Sequence, residues 1–308
     1  MDLAIIIVSW NVRELLHCCL TSINQSLAIS ARHGVTVTAD IWVVDNHSFD
    51  GTSEMVRDQF SDVRLIANSE NRGFAAANNQ AIAQVLLLPD YRHFLLLNPD
   101  TLVRGRALEV LVDFMDQSPI AGMAGARLVF GDGAFQHSAF GFPGLAQIAL
   151  DLFALPPRLH ETQLNGRYPR SRYAAHAPPF SVAHPLGAAM IVRREVVETV
   201  GSMDQSYFMY CEEIDWAMRI KAAGWKIFCV PAAEIVHYGG QSASQIETLS
   251  FVNLWRSRHR LYQKHYPPLK VRLAGQLVRA AMRSRLRRTE SPGLQAAYAQ
   301  VARIWSQT

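Results

Sequence analysis

Four short apolar runs in the first hundred residues, at 3–8, 41–44, 63–67 and 94–97, each give way to polar residues and then, after the first three, to a longer stretch with helical spacing. That alternation leaves few folds open. Strands separated by helix-length crossovers run parallel, because the crossover returns the chain to the same end of the sheet. Near-continuous apolar character within each run is what burial on both sheet faces produces. The spacing predicts helices over 13–27, 52–60 and 74–85, and hence an α/β chain with a Rossmann-like, mostly parallel sheet flanked by helices.

Polar residues close all four runs: Ser9-Trp10-Asn11, Asp45-Asn46, Asn68-Ser69 and Asn98-Pro99-Asp100. Any one of these can be an ordinary turn or N-cap residue. Acids or amides closing every run point instead to one site assembled from several loops at the carboxyl ends of the strands. The first turn, Ser9-Trp10-Asn11-Val12-Arg13, lacks the G-x-G-x-x-G of a dinucleotide-binding unit, which sets aside a nicotinamide or flavin oxidoreductase.

Later in the chain, helical spacing returns at 107–117, 194–200 and 214–223, with apolar runs at 187–192 and 226–230. Between them, 130–185 is rich in Gly, Pro, His and aromatics without clear period, as long loops over a site would be. With 49% hydrophobic residues among 308, the chain can bury a large core. Its four cysteines, Cys18, Cys19, Cys211 and Cys229, form no C-x-x-C pair, so a reduced cytoplasmic setting is expected. The apolar start is too short for a secretory segment, and no run of about 18 apolar residues suggests a membrane span.

Certain segments bring chemistry-bearing residues together. Val43-Val44-Asp45-Asn46-His47-Ser48-Phe49-Asp50-Gly51-Thr52 puts an acid and an amide at a strand end. In Asn71-Arg72-Gly73-Phe74-Ala75-Ala76-Ala77-Asn78-Asn79, Gly73 permits a tight loop before a helix, while Phe74 and the alanines read as core. Asp100 follows an apolar strand. The densest block runs through Gly187-Ala188-Ala189-Met190, Gly201-Ser202-Met203-Asp204 and Tyr207-Phe208-Met209-Tyr210-Cys211-Glu212-Glu213-Ile214-Asp215 to Arg219, Gly224 and His237. Three acids within four residues repel one another unless cations or protons accommodate them. Asp215 and Arg219 are spaced i, i+4, which favours a structural helix pair.

In order and spacing these segments resemble the family 2 glycosyltransferases of GT-A fold, in their rhamnosyltransferase-like branch. The resemblance covers most of 1–242, with Arg256, Tyr262 and Lys264-His265-Tyr266 similar to a downstream helix. It implies a glycosyltransferase domain at 1–245, with a donor-binding half at 1–105 and an acceptor and catalytic half at 106–245. A basic helical extension then occupies 246–308. It implies a nucleotide diphosphate sugar held by Ser9, Asn11, Asp45, Asn46, Arg72, Gly73, Asn78, Asn98 and Asp100, with Asp45 on the base. Asn98 stands where the family's first aspartate often is, so Asp100 becomes the direct ligand of Mg²⁺ or Mn²⁺. His237 is either a second metal ligand or a residue merely placed near the acids. Glu213 is the expected catalytic base, with Glu212 the alternative and Asp215 the third acid of the block.

The implied reaction is inverting transfer, with L-rhamnose from dTDP-rhamnose favoured, onto a hydroxyl of a glycan or lipid-linked acceptor in cell-envelope polysaccharide synthesis. A UDP-hexose donor and a noncatalytic nucleotide-sugar binding protein are the alternatives. Of the formal charge of +4, much lies after Leu269, where Lys270, Arg272, Arg279, Arg283, Arg285, Arg287 and Arg288 alternate with Leu269, Val271, Leu273, Leu277, Val278 and Met282. Such a helix suits peripheral contact with an anionic membrane at its inner face, or packing against protein. The tail lacks the interleaved aromatics of a nucleic-acid platform, and no nucleic-acid partner is expected.

Overall fold

The computed structural model describes residues 1–88, 91–239 and 247–307. Its strands are β1 (Leu3–Ser9), β2 (Ala39–Asp45), β3 (Arg64–Ala67), β4 (His93–Leu97), β5 (Thr101–Val103), β6 (Ala121–Val129), β7 (Phe135–Gln136), β8 (Ala139–Phe140), β9 (Phe180–Ser181), β10 (His184–Pro185), β11 (Ala189–Arg193) and β12 (Lys226–His237). Its α-helices are α1 (Arg13–Arg32), α2 (Thr52–Gln59), α3 (Phe74–Leu86), α4 (Ala107–Gln117), α5 (Leu145–Leu152), α6 (Arg194–Val200), α7 (Glu212–Ala222), α8 (Glu247–His265), α9 (Pro268–Leu286) and α10 (Pro292–Ile304).

The main sheet follows the order β3-β2-β1-β4-β11-β6-β12-β5. The part built from the first hundred residues is parallel, with β1 between β2 and β4. Beyond it β11 runs antiparallel to both β4 and β6, while β12 returns parallel to β6, so the sheet as a whole is mixed. β1 shows why its sequence is apolar throughout. Leu3, Ile5 and Ile7 pack with Leu16, Leu20, Leu108 and Leu111 on one face, whereas Ala4, Ile6 and Val8 pack with Ala77, Ile82 and Trp216 on the other. Helices therefore cover both faces, and alternation of polar residues would bury unpaired groups. Strand order reverses between β1 and β4, whose carboxyl ends lie side by side, and this switch point is where an open α/β sheet leaves a crevice.

β12 is longer than the apolar run at 226–230 suggests, because it passes Pro231 with register shifts between Val230 and Glu234. An irregularity there accommodates the missing backbone donor, and the strand resumes to end on His237.

The boundary at 245/246 lies outside the described residues. Beyond it, α8, α9 and α10 share a core with α5, including Ile148, Trp255, Tyr262, Val278, Met282, Val301 and Trp305. The tail is thus helical, but Val271, Val278 and Met282 face this core and are not available to a membrane. Leu269 and Leu273, at 68% and 40% exposure, remain on the surface. Among the described residues no helix is long and apolar enough to cross a membrane.

Candidate active site

A cleft of about 260 Å³ opens at the switch point. Its floor is made by Val8, Ser9 and Trp10 after β1 and by Asn98, Pro99 and Asp100 after β4. Its walls come from Gly73, from Leu186 to Ala188, and from the acid block at Glu212 and Glu213, with His237 at its rim. Of the residues expected in the site, Ser9, Asn46, Gly73, Asn98, Asp100, Glu212, Glu213 and His237 meet here. Ser9 Oγ is buried and has no hydrogen-bond partner among the described residues, which leaves it for a ligand.

Asn11, Asp45, Arg72, Asn78 and Asp215 are not on the cleft wall. Asn11 adopts φ 52° and accepts from the Phe49 amide at 2.8 Å. Asp45 is buried beneath the 46–53 loop, accepting from the Ser48 amide at 3.1 Å and from the Ser53 hydroxyl. Arg72 is exposed, and the Asn78 amide donates to the Phe74 carbonyl at 2.9 Å within its own helix. Asp50 caps α2 through Thr52 and also accepts from the Arg13 amide at 2.9 Å, a structural use.

Asn46 lines the cleft but spends its hydrogen bonds on the chain. Its Nδ2 donates to Asn71 Oδ1 at 2.9 Å and to the Gly73 carbonyl at 3.3 Å, and its Oδ1 accepts from Asn68 Nδ2 and the Arg72 amide, each at 3.1 Å. Two donors and two lone pairs are the whole capacity of a carboxamide, so Asn46 locks the 68–73 loop. Gly73 is fixed by two constraints. Its φ is +80°, and a Cβ there would lie 2.3 Å from the Phe208 carbonyl oxygen, which accepts from the Phe74 amide at 2.8 Å. The 68–73 loop and the acid block are therefore joined through backbone.

Asp100 and His237 converge from β4 and β12. His237 Nδ1 lies 3.2 Å from Gln136 Oε1, a contact that orients the ring and turns Nε2 toward Asp100 Oδ1, 3.5 Å away. Nε2 is buried and has no hydrogen-bond partner among the described residues. Two ligand atoms on one small divalent cation lie about 3 Å apart, so the pair fits a shell completed by phosphate oxygens and water. Among the described residues no third His, Cys, Asp or Glu joins them. Gln136 was not foreseen, because it lies in the aperiodic stretch before β8, and neither were Trp10 and Met209 in the lining.

The acids sit on a constrained turn. Tyr210 and Cys211 both adopt left-handed backbone, φ 69° and 67°, which non-glycine residues hold only when the surroundings impose it. This turn starts α7 directly at Glu212, two residues before the expected start at 214. One oxygen of each of Glu212 and Glu213 is buried without a partner. Burial and the neighbouring Glu213 push Glu212 well above the usual carboxylate range. Burial pushes Glu213 up to about 7, opposed by the backbone amides of the helix start.

Asp215 has the opposite environment. Arg219 Nε at 2.9 Å, Lys264 Nζ at 2.7 Å and His265 Nε2 at 2.7 Å surround it. Burial alone would raise its pKa, but these partners outweigh it and hold the carboxyl below its ordinary value. The i, i+4 pair expected with Arg219 is present, and Lys264 and His265 extend it from α7 to α8.

The chain is similar to known proteins in sequence and in fold. A family model described as "Glycosyltransferase like family 2" matches residues 2–260. An N-acetylglucosaminyl-diphospho-decaprenol L-rhamnosyltransferase of Mycobacterium tuberculosis is 28% identical over 229 residues, covering 71% of this chain and 72% of that protein. Among solved structures, the mannosyltransferase PcManGT from Pyrobaculum calidifontis in complex with GDP-Man and Mn²⁺ superposes with a TM-score of 0.55 at 16% identity, over 99% of this chain and 84% of that one. GalNAc-T7 with UDP, GalNAc and Mn²⁺ gives 0.53 at 16% identity over 77% of this chain, which spans only 43% of that structure.

Proposed function

This chain belongs to the glycosyltransferase-like family 2 and has the GT-A fold, and on that premise we propose that it is an inverting, metal-dependent transferase with Glu213 as its base. The observation that carries the proposal is the placement of Glu213. It stands on the cleft wall beside Gly187, across from strand ends that present Ser9, Asn98 and Asp100, with one oxygen unpartnered.

Direct displacement at an anomeric carbon needs a hydroxyl that loses its proton as it attacks from the face opposite the diphosphate. The acceptor oxygen forms the new C1–O bond, the bond from C1 to the diphosphate oxygen breaks, and the proton passes to Glu213 Oε2. The two glutamates divide naturally between roles. Burial pushes both carboxyls up and Glu213 pushes Glu212 up further, so the pair gives up its protons in separate steps and Glu213 can ionise near neutrality. A divalent cation held by Asp100 and His237 would supply neutralisation of the leaving diphosphate's charge. Asp215 then serves to fix α7 rather than to move a proton.

A noncatalytic nucleotide-sugar binding protein fits less well, because a binder gains nothing from two buried carboxyls at the cleft wall that each keep one oxygen unpartnered. The similarity to an L-rhamnosyltransferase favours dTDP-L-rhamnose as donor and a glycan or lipid-linked hydroxyl as acceptor, with UDP-hexoses as the second choice. The test is donor hydrolysis by the purified chain with Mn²⁺ or Mg²⁺ against a panel of nucleotide sugars. Binding of a donor without turnover, at any acceptor concentration, sinks the enzyme reading.

A further inference from the structure

Behind Glu213 lies a second chamber of about 200 Å³, lined among others by Phe140, Arg167, His184, Tyr210 and Arg258. Glu213 and Tyr210 face both this chamber and the donor cleft. A base shared by two spaces is where donor and attacking hydroxyl must meet, since in-line attack brings them from opposite sides.

The chamber carries an unexplained cation. The Arg167 guanidinium lies 4.5 Å over the Phe140 ring and has no hydrogen bond or ion pair among the described residues. Its backbone is anchored: the Arg167 amide donates to the Thr162 carbonyl at 3.1 Å, and the adjacent Gly166 carbonyl accepts from the Gly141 amide at 2.8 Å. The neighbouring polar groups are already engaged. Arg258 Nη1 pairs with Asp151 at 2.6 Å, Gln147 donates to the Asn165 carbonyl at 2.9 Å, and Asn165 donates to the His160 carbonyl at 2.9 Å. His184 is pushed down to about 4 by burial and is neutral, so it neither supplies nor cancels charge. A half-buried guanidinium whose five donors make no hydrogen bond, with Glu161 and Asp151 acting on it only at longer range, is costly to keep dry unless a ligand pairs with it.

Building on the transferase reading, we propose that this chamber is the acceptor subsite and that Arg167 recognises an oxyanion, a phosphate ester or a carboxylate, carried by the acceptor close to its attacking hydroxyl. The anion pairs with the guanidinium fork while Phe140 holds the fork's plane from behind.

The experiment titrates hexyl diphosphate, heptanoate and hexanol into the full chain saturated with dTDP and Mn²⁺, so that the donor cleft is filled. It is repeated with Arg167→Gln and Arg167→Lys. Either or both anions should bind the wild type, with hexanol at least about tenfold weaker; Gln should remove that preference and Lys restore part of it. Which anion binds separates a phosphate from a carboxylate acceptor. Equal binding of hexanol, or a preference untouched in Arg167→Gln, overturns the proposal. Donor hydrolysis is measured on the same preparations, and bound anion should inhibit it without competing with donor. Competitive inhibition would place the anion in the donor cleft and also overturn the subsite. Absence of hydrolysis beside intact Arg167-dependent binding would count against the transferase reading and the acceptor role, but leave the anion site.

Discussion

Nε2 of His265 lies 2.7 Å from Oδ1 of Asp215, tying the helix of the C-terminal extension to the helix that carries the cleft's acids. Lys264 reaches the same oxygen at 2.7 Å and also Asp204 at 2.8 Å, so one turn of α8 holds both the first turn of α7 and the loop that precedes it. Asp215→Asn leaves three cationic or polar partners without their anion. It should cost about 2–4 kcal/mol in urea unfolding, somewhat less than the about 3–5 kcal/mol for breaking a fully buried pair, because the three partners are partly exposed. Donor affinity of the folded fraction should remain near wild type. An unchanged unfolding midpoint would show that the cluster contributes little.

The contact between Gly73 and Phe208 makes a second prediction. Gly73→Ala places a Cβ against the Phe208 carbonyl on a backbone with φ +80°. Both effects act together, and a loss of at least about 2 kcal/mol is expected. Because Phe208 precedes the acid block, turnover should fall more than donor affinity. Ser48→Ala, which loses a hydroxyl that accepts from the Asn11 amide at 2.9 Å, is the control for general loosening of the cleft loops.

These two relationships also mark what the sequence conveys and what it hides. β1, β2 and β4 are legible because burial on both faces writes an unbroken apolar run, and their polar ends locate the cleft. β6 is disguised by Gly122 and Gly125, residues poor in strand propensity. They are there because Trp225 and Pro185 press against the strand, 2.7 Å and 2.4 Å from where a Cβ would stand. A glycine demanded by a neighbour far along the chain leaves no local period to read. The acid block is visible as a cluster, but the division between Asp215 and the glutamates depends on Lys264 and His265, some fifty residues away. Asn46 was readable as a polar strand end, whereas its use in locking the 68–73 loop follows only from geometry.

Exposed residues of α9 offer a third test. With Val271, Val278 and Met282 packed inward, membrane contact would rest on Leu269 and Leu273 beside exposed Arg272 and Arg283. Leu269→Asp together with Leu273→Asp should weaken sedimentation with anionic vesicles by at least about tenfold while leaving thermal stability unchanged. Equal sedimentation of the double variant and the wild type would remove the membrane role.

A fourth prediction concerns Asp100 and His237. Asp100→Ala should reduce transfer by at least about a hundredfold, and chelation should then have no further effect. His237→Ala should shift the Mn²⁺ concentration for half-maximal rate upward by about tenfold, in line with loss of one ligand among several. Full activity of Asp100→Ala in EDTA would exclude metal assistance through this residue.

The last prediction separates activity from stability through Glu213. Its pKa is pushed up to about 7 by burial, against an ordinary glutamate value of about 4.3 in the unfolded chain. Between those values the folded state binds more protons than the unfolded one, so stability falls as pH rises through that window. The base, however, acts only when ionised, so turnover rises over the same range and levels off above about 7. The contributions of Glu213 to stability and to activity therefore run in opposite directions with pH, a pairing that a surface carboxylate would not produce. Glu213→Gln keeps shape and removes one titration: unfolding free energy should lose the part of its fall between about pH 4.3 and pH 7 that Glu213 contributes, the contribution of Glu212 remaining, while turnover drops by at least about a hundredfold with donor affinity retained. Glu212→Gln is the comparison: burial and Glu213 disfavour the ionised form of Glu212, so its replacement by a neutral amide should cost far less turnover. If Glu213→Gln turns over at the wild-type rate and Glu212→Gln does not, the base is Glu212.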